Sequence, residues 1–333
     1  MNIQFKQGPV FHQPAHNPKA DDTAKSARSF IAYDAINTAK PAHFNLSKEF
    51  IALENVPTKM ETMPFKKIVV IGDSLSDSTG RMLAKTSGLM PSSSQYYDGR
   101  FTNGYTWVDF LSSPAYMNAT VETRAEGGAV AGSYSKFNPV FMFISSMKKQ
   151  VSRLKFSKDS LVFSSIGSND YITFNKKNVD KVVSDQIKNI KKMIEKGARN
   201  IIVMGVPDFS QTPFAENETQ ESRDKLKNLT RSHNKMLSEE INKIDGQDGA
   251  KVKFFDLNEV LASSLVIASC IGYNTDEPFH QGYIGGKDAL NIAPHYFFND
   301  SVHPTQEVHA IFAIKIQEFI AREFGNNKVN ASR

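Results

Sequence analysis

The stretch FKKIVVIGDSLSDSTGR, residues 65–81, indicates the fold class of this chain. Residues 68–71 are a short unbroken apolar run, mostly β-branched, that ends at Gly72. Such a run is typical of a strand buried on both faces of a parallel sheet. A polar turn follows, and a helix is predicted to begin near Asp77 or Ser78. Because open α/β sheets place their functional groups at the carboxyl ends of strands, Ser74 in this turn is a candidate nucleophile.

The far end of the chain supports this interpretation of Ser74. Alone, the tripeptide GDS also fits a strand-ending turn in which Asp73 or Ser74 caps a helix. Residues 299–304 (NDSVHP), however, place Asp300 and His303 three positions apart, just before another predicted helix. A nucleophile, a base and an orienting carboxylate are then all present, in separate loops.

The composition is that of a globular protein with a substantial core. The 333 residues are 40% apolar and 23% charged, and no apolar run approaches the roughly 18–20 residues that span a bilayer. A single cysteine, Cys270, excludes an intramolecular disulfide and is predicted to be a small buried residue. The net charge of +5 comes with no nucleic-acid-binding motif, so no nucleic acid partner is expected.

Two basic clusters stand out from this mild net charge, at residues 148–158 and 176–199. The simpler interpretation is that they are the solvated faces of two helices. The alternative is attraction to an anionic membrane surface, worth roughly 1 kcal/mol for each basic residue near it.

Strand-like and helix-like segments alternate from residue 65 onward. Strands are predicted near 68–71, 120–124, 161–166, 200–205 and 251–255. Helices are predicted near 104–113, 138–154, 179–196, 222–244 and 304–324, with Pro304 in the first turn of the last one and a long loop at 271–298 before it. This alternation predicts a three-layer α/β/α sandwich with a five-stranded, mostly parallel sheet.

The domain organisation follows from where the pattern begins. Residues 1–62 are polar, lack sustained periodicity and have no secretory h-region, so we expect a flexible leader or secretion segment. The catalytic domain is expected at 63–325, and a tail at 326–333.

Four turns together resemble the sequence blocks of the GDSL, or SGNH, hydrolases. They are GDSLS at 72–76, AEGGA at 125–129, GSND at 167–170 and NDSVHP at 299–304. The resemblance implies a catalytic triad of Ser74, Asp300 and His303. It also implies an oxyanion hole formed by Ser74, Gly128 and Asn169. From the residues alone, Gly128 also fits a tight turn and Asn169 a helix cap.

A fifth segment, GRFTNG at 99–104, resembles the lipolytic members that include the glycerophospholipid–cholesterol acyltransferases; the likeness spans about 64–325. It implies a phospholipase that forms an acyl-enzyme and passes the acyl group to water or to cholesterol. It further implies a monomer without a cofactor, working on phospholipid membranes. By the same resemblance, the protein is a type III secreted effector on the cytoplasmic face of host membranes, with a Rho-family GTPase as activator. The alternatives are a carbohydrate or small-ester deacetylase on the same scaffold, and an effector that works mainly by binding a host protein.

The remaining histidines raise the question of a metal site. His295 and His309 accompany His303 near the C-terminus, but His309 follows it by six residues and no HExxH-like spacing occurs. We therefore expect no metal, with His295 and His309 as surface or loop-packing residues. His233 is expected to be solvated on a polar helix.

Overall fold

The computed structural model of this protein describes residues 64–93, 95–135, 137, 143–279 and 295–325. The leader predicted at 1–62 and the tail predicted at 326–333 lie outside the described residues. The domain boundary at residue 63 therefore stays a prediction. Everything below concerns the described part of the chain.

The predicted α/β class is confirmed by a five-stranded sheet. Its order is β2-β1-β3-β4-β5, and every neighbouring pair is parallel. All five predicted strands are present, shifted by no more than one or two residues at their ends. They are β1 Lys67–Gly72, β2 Thr120–Thr123, β3 Leu161–Ser165, β4 Asn200–Met204 and β5 Lys251–Phe255.

Helices cover both faces of this sheet, so two hydrophobic cores form. On one face Ile68 and Val70 of β1 pack in a core with Trp107, and on the other Val69 and Ile71 pack in the second core. The unbroken apolar run of β1 thus has a buried partner on each side, as a strand covered on both faces requires. The helices are α1 Arg81–Lys85, α2 Trp107–Ser112, α3 Met147–Ser152, α4 Ser168–Ile172, α5 Val179–Glu195, α6 Gln220–Ile244, α7 Leu257–Cys270 and α8 Gln306–Phe324.

Several helix boundaries differ from the predictions for identifiable reasons. The helix expected near Asp77 begins at Arg81, because the Asp77 carboxylate accepts hydrogen bonds from the backbone N–H groups of Arg81 (2.8 Å) and Met82 (3.1 Å). Of the region predicted helical at 138–154, residues 138–142 lie outside the described residues, and α3 begins after the Ser146 N-cap. The last helix begins after Thr305 as N-cap, so Pro304 precedes the helix and does not lie in its first turn.

The segment before the last helix differs most from the sequence interpretation. Helix α7 was not predicted, and it leaves Cys270 exposed at its end, so the prediction of a buried cysteine was wrong. The predicted loop at 271–298 contains a strand pair in its described residues. These strands are β6 Asn274–Pro278 and β7 Tyr296–Phe298, which run parallel.

Candidate active site

The site lies where the strand order reverses, at the carboxyl ends of β1 and β3. The chain passes from β1 to β2 on one side of β1 and then crosses back to β3 on the other side of β1. In an α/β sheet, such a reversal opens a crevice at the carboxyl ends of the strands. Ser74 follows β1 directly, in a single 3₁₀ turn, Ser74–Ser76. Asn169 lies in α4, just after β3.

Ser74, His303 and Asp300 form one hydrogen-bonded row. His303 Nε2 is 2.8 Å from Ser74 Oγ, although 229 positions separate the two residues in the chain. On the other side of the ring, His303 Nδ1 is 2.6 Å from Asp300 Oδ2. The structure therefore brings together the three residues predicted as nucleophile, base and orienting group.

The turn that carries Asp300 and His303 is held by its own hydrogen bonds. Asp300 Oδ1 accepts from the backbone N–H groups of Val302 (2.8 Å) and His303 (2.7 Å). Burial alone would raise the pKa of Asp300, but the charge and hydrogen bond of His303 and the hydrogen bond from Tyr96 hold that pKa below its usual range. Burial alone would lower the pKa of His303, yet the Asp300 carboxylate raises it. Asp300 therefore stays ionised beside the imidazole.

Tyr96 is a site residue that the sequence interpretation missed. Its hydroxyl donates a 2.5 Å hydrogen bond to Asp300 Oδ2, the same oxygen that faces His303. Burial, followed by the nearby Asp300 charge, raises the pKa of Tyr96, so the hydroxyl remains a donor. The only sequence signal was a loop at 91–103 rich in serine, glycine and tyrosine, which does not distinguish Tyr96 from Tyr97.

The two other predicted oxyanion residues lie near each other, Gly128 on the loop after β2 and Asn169 in α4. Gly128 has a backbone φ of +73°, a conformation that residues other than glycine rarely adopt. The side-chain amide of Asn169 donates from Nδ2 to the carbonyl of Ala129 (3.0 Å), the residue after Gly128. Thr173 Oγ1 donates to Asn169 Oδ1 (2.8 Å), which fixes the orientation of the amide. The sequence alternative of Asn169 as a helix cap is wrong, since Gly167 occupies the cap position.

Asp77 ties the oxyanion loop to the nucleophile turn. Besides the first N–H groups of α1, its carboxylate accepts from Gly127 N (3.1 Å). Gly127 must be glycine, because a Cβ there would lie 2.4 Å from the Phe101 ring. Burial raises the pKa of Asp77, although three backbone donors oppose this shift.

The GRFTNG segment braces the His303 turn. Arg100 holds Asp109 of α2 with two hydrogen bonds (3.0 and 2.9 Å). Thr102 Oγ1 donates to the carbonyl of Pro304 (2.9 Å), and Asn103 Oδ1 accepts from the backbone N–H of Gln306 (3.0 Å). The Phe101 ring lies 5.2 Å from the His303 ring, centroid to centroid. The segment thus positions the imidazole, a role that its sequence alone did not reveal.

Asp73 has a second role beside the nucleophile. It caps the 3₁₀ turn by accepting from Leu75 N (3.2 Å), which confirms the capping alternative for Asp73. Burial raises the pKa of Asp73 to about 7, against the opposing influence of this hydrogen bond and of His303. Its charge in turn contributes to the raised pKa of His303.

Two histidines lie in the core, contrary to prediction. His309 is buried on α8 and accepts through Nδ1 from the backbone N–H of Trp107 (3.3 Å); burial lowers its pKa to about 3. His233 is fully buried, 2.6 Å from the Tyr171 hydroxyl, and burial lowers its pKa to about 4. His295 is half-buried and packs against Tyr273, as a loop-packing residue should. Within the described ranges, no three His, Cys, Asp or Glu side chains are grouped so that they could hold a metal ion.

Replacing Tyr96 by phenylalanine is expected to move the acid limb of the pH–rate profile to higher pH. A histidine base works in its neutral form, so this limb reports its pKa. Without the Tyr96 hydroxyl, Asp300 Oδ2 concentrates its charge on His303, which raises the pKa of His303 by up to about one unit. The measurement is kcat/KM for a soluble short-chain ester, followed by pH-stat titration.

Tyr97→Phe is the matched control for this variant. The Tyr97 hydroxyl lies 3.5 Å from that of Tyr105, so the same atom is removed one position away from the Asp300 contact. Its acid limb should coincide with that of the wild type. Equal limbs in Tyr96→Phe and wild type would show that Tyr96 does not act on the imidazole.

Comparisons with known proteins show the family of this chain. The model of the GDSL-like Lipase/Acylhydrolase family matches residues 68–316. The chain is 40% identical over 290 residues to the secreted effector protein SseJ of Salmonella typhimurium, covering 85% of this chain and 71% of that protein. It is 33% identical over 210 residues to the phosphatidylcholine-sterol acyltransferase of Aeromonas hydrophila, covering 60% of this chain and 61% of that protein.

Among solved structures, the inhibitor-bound aryl esterase of M. smegmatis is similar with a TM-score of 0.45 at 14% identity, over 78% of this chain and 99% of that one. The family model covers most of this chain, including the turns of Ser74, Gly128, Asn169 and His303. The chain belongs to the GDSL-like lipase/acylhydrolase family of serine hydrolases.

Proposed function

We propose that this protein is a lipolytic serine esterase that cleaves acyl esters of glycerophospholipids through an acyl-enzyme. The observation that carries the proposal is the row from Ser74 Oγ through the His303 ring to Asp300. Both contacts lie within ordinary hydrogen-bond distance, so a proton can pass from the hydroxyl to the imidazole as the hydroxyl attacks. The choice of phospholipid draws on the similarity to a protein named phosphatidylcholine-sterol acyltransferase.

In the first half of the reaction, Ser74 Oγ attacks the ester carbonyl while His303 Nε2 takes the hydroxyl proton. The tetrahedral intermediate collapses, the bond to the glyceryl oxygen breaks, and His303 returns its proton to that oxygen. Asp300 holds Nδ1–H of the ring and stabilises the imidazolium that forms meanwhile. The products are an acyl-Ser74 ester and a lysophospholipid.

Three N–H donors are assigned to the oxyanion of this intermediate. They are the backbone N–H groups of Ser74 and Gly128 and the side-chain amide of Asn169. An amide NH₂ has two hydrogens, and in Asn169 the Ala129 carbonyl takes one, so the other is assigned to the substrate. Donors fixed in advance in this way stabilise the developing charge without reorganisation.

In the second half, a hydroxyl compound attacks the acyl-Ser74 ester while His303 takes its proton, and His303 returns that proton to Ser74 Oγ as the bond from the acyl carbon to Oγ breaks. Water as attacker gives a fatty acid, and a sterol hydroxyl gives a sterol ester. Similarity to a protein named phosphatidylcholine-sterol acyltransferase supports the sterol as an acceptor. We therefore propose cholesterol as the second substrate.

The site of action is proposed to be the surface of a host membrane, reached as a secreted effector. Similarity to a protein named secreted effector supports the proposal that this protein is secreted. None of the described helices combines the length and apolar character needed to cross a bilayer. Part of the basic cluster at 176–199 has a structural task, since Lys196 Nζ donates to the carbonyls of Val151 and Leu154. A Rho-family GTPase as activator is proposed by resemblance alone.

Lipid mass spectrometry tests the proposed reaction. The protein is incubated with vesicles of phosphatidylcholine and cholesterol, with and without a purified GTP-loaded Rho-family GTPase. Lysophosphatidylcholine together with cholesteryl ester is the expected result, and fatty acid in place of cholesteryl ester would reduce the function to hydrolysis. A parallel assay uses acetylated sugars as substrates. If phospholipid stays unchanged in every sample while acetylated sugars are cleaved, the protein is a deacetylase and the proposed function is wrong.

A further inference from the structure

A cleft of about 940 Å³ opens beside the oxyanion loop, outside the row of Ser74, His303 and Asp300. Helix α1 contributes Arg81 and Lys85 to its lining, and α3 with the residue after it contributes Lys149 and Arg153. Glu126, at the start of the oxyanion loop, also lines it. The five side chains come from three separate segments of the chain.

The charges around this cleft do not balance. Glu126 is 8% exposed and contacts Lys85 Nζ at 2.5 Å and Arg81 Nη2 at 4.0 Å, so one carboxylate faces four cationic side chains. Burial and the charges of Lys85 and Arg153 lower the pKa of Lys149. The Nε atom of Arg81 is buried and has no hydrogen-bond partner among the residues that the structure describes. The cleft is therefore suited to an anion.

An apolar edge adjoins these cations. Phe143 lines the cleft and is 47% exposed. Lys85 Nζ lies over its ring, 4.6 Å from the ring centroid. Ala84 and Ile144 extend the apolar part of the lining. A ligand that joins a phosphate to hydrocarbon would meet both kinds of surface.

The cleft is close enough to the proposed oxyanion hole for one lipid to reach both. Glu126 precedes Gly128 by two residues, and two residues span at most about 7 Å. Glu126 N also donates to the carbonyl of Gly72 (3.1 Å), at the end of the strand that carries Ser74. In a glycerophospholipid only a few covalent bonds separate the ester carbonyl from the phosphorus.

We propose that this cleft binds the phosphodiester group of the glycerophospholipid whose acyl ester lies at Ser74. The inference rests on the proposed function and adds that the phosphodiester is the group of the substrate that the protein recognises. Lys149 and Arg153 supply charge-assisted hydrogen bonds to the phosphate oxygens, and Arg81 and Lys85 complete the positive wall. The cleft thereby selects phospholipids over uncharged esters with the same acyl chains.

The test compares two soluble substrates that differ by the phosphocholine headgroup, dihexanoylphosphatidylcholine and dihexanoylglycerol, both below their aggregation limits. The variant is Lys149→Gln with Arg153→Gln, where glutamine retains a donor for the Lys149 contact with the Ile144 carbonyl. We expect kcat/KM for the phospholipid to fall about tenfold or more, mainly through KM, because charge-assisted contacts are lost. Activity on dihexanoylglycerol should stay within about twofold of the wild type, since the catalytic row is untouched.

Lys148→Gln with Lys155→Gln is the matched control. Both lysines are exposed, belong to the same basic cluster and lie outside the cleft lining, so the loss of net charge is identical. This control should keep the wild-type preference for phospholipid. An equal loss in both double variants would assign the effect to general surface charge and overturn the proposal.

Inorganic phosphate separates a lipid phosphate site from a free-ion site. Millimolar phosphate should compete with dihexanoylphosphatidylcholine in the wild type and lose this effect in Lys149→Gln with Arg153→Gln. If phosphate binds through these residues while the wild type cleaves both substrates equally well, the cleft is a free-anion site and the lipid assignment is wrong. Failure of the wild type on every ester would instead refute the proposed function itself.

Discussion

Ser74→Ala is expected to lower kcat by roughly 10⁴–10⁶, as the loss of the nucleophile does in other serine hydrolases. The hydroxyl is the only atom removed, and its 2.8 Å partner, His303 Nε2, then has no proton to take. Folding should be unaffected, because the Ser74 side chain is only half-buried and packs in neither core. Hydrolysis of a short soluble ester measures the loss, and thermal unfolding measures the fold.

Ser76→Ala is the matched control, two residues further along the same turn. Its hydroxyl accepts from Trp107 Nε1 at 3.2 Å and has no place in the proposed chemistry. This variant should retain most of the activity and lose about 1 kcal/mol or more of stability, since a buried indole N–H is left without an acceptor. An active Ser74→Ala protein would refute the mechanism.

Asn169→Ala is expected to lower kcat by about 10²–10³-fold with little change in KM. The reason for this split is that a donor to the oxyanion acts on the transition state and hardly on the bound ester. The variant also removes the hydrogen bond to the Ala129 carbonyl, so the melting temperature must be recorded alongside the kinetics.

Thr173→Val is the companion variant to Asn169→Ala. It keeps the amide but removes the 2.8 Å hydrogen bond that orients it, so its loss of kcat should be distinctly smaller. A raised KM with unchanged kcat in Asn169→Ala would make Asn169 a substrate-binding residue, and the oxyanion assignment would fail.

The centre of the sheet was predictable from the sequence because β1 and β4 are short apolar runs, whereas β2 (TVET) and β5 (KVKFF) mix polar and apolar residues. Ile68, Val69, Val70 and Ile71 are all buried, as expected of a strand that is covered on both faces. Helix α7 was missed because its sequence, LNEVLASSLVIASC, mixes serine and apolar residues without a clear one-sided pattern. The Asp256 cap, which accepts from Asn258 N and Glu259 N, was the available signal.

The site was predictable as a set of residues but not as an arrangement. Motifs in order along the chain indicated Ser74, His303 and Asp300, whereas Tyr96 and the Arg100–Asp109 pair depend on contacts between distant loops. The burial of His233 could not be inferred from its polar helix, because the Tyr171 hydroxyl that pairs with its Nδ1 belongs to another helix. Long-range hydrogen bonds of this kind leave no periodic pattern in the sequence.

The distance along the chain between Ser74 and His303 has a consequence for biosynthesis. When the ribosome adds Ser74 to the chain, the 229 positions up to its partner are still to be made. The base reaches the nucleophile only after α8 has docked, since Thr102 and Asn103 hold the backbone at Pro304 and Gln306. On the proposed mechanism, a growing or unravelled chain has a serine with no base beside it. The protein is then inert toward the membranes of the cell that makes it for as long as its chain is incomplete or unfolded.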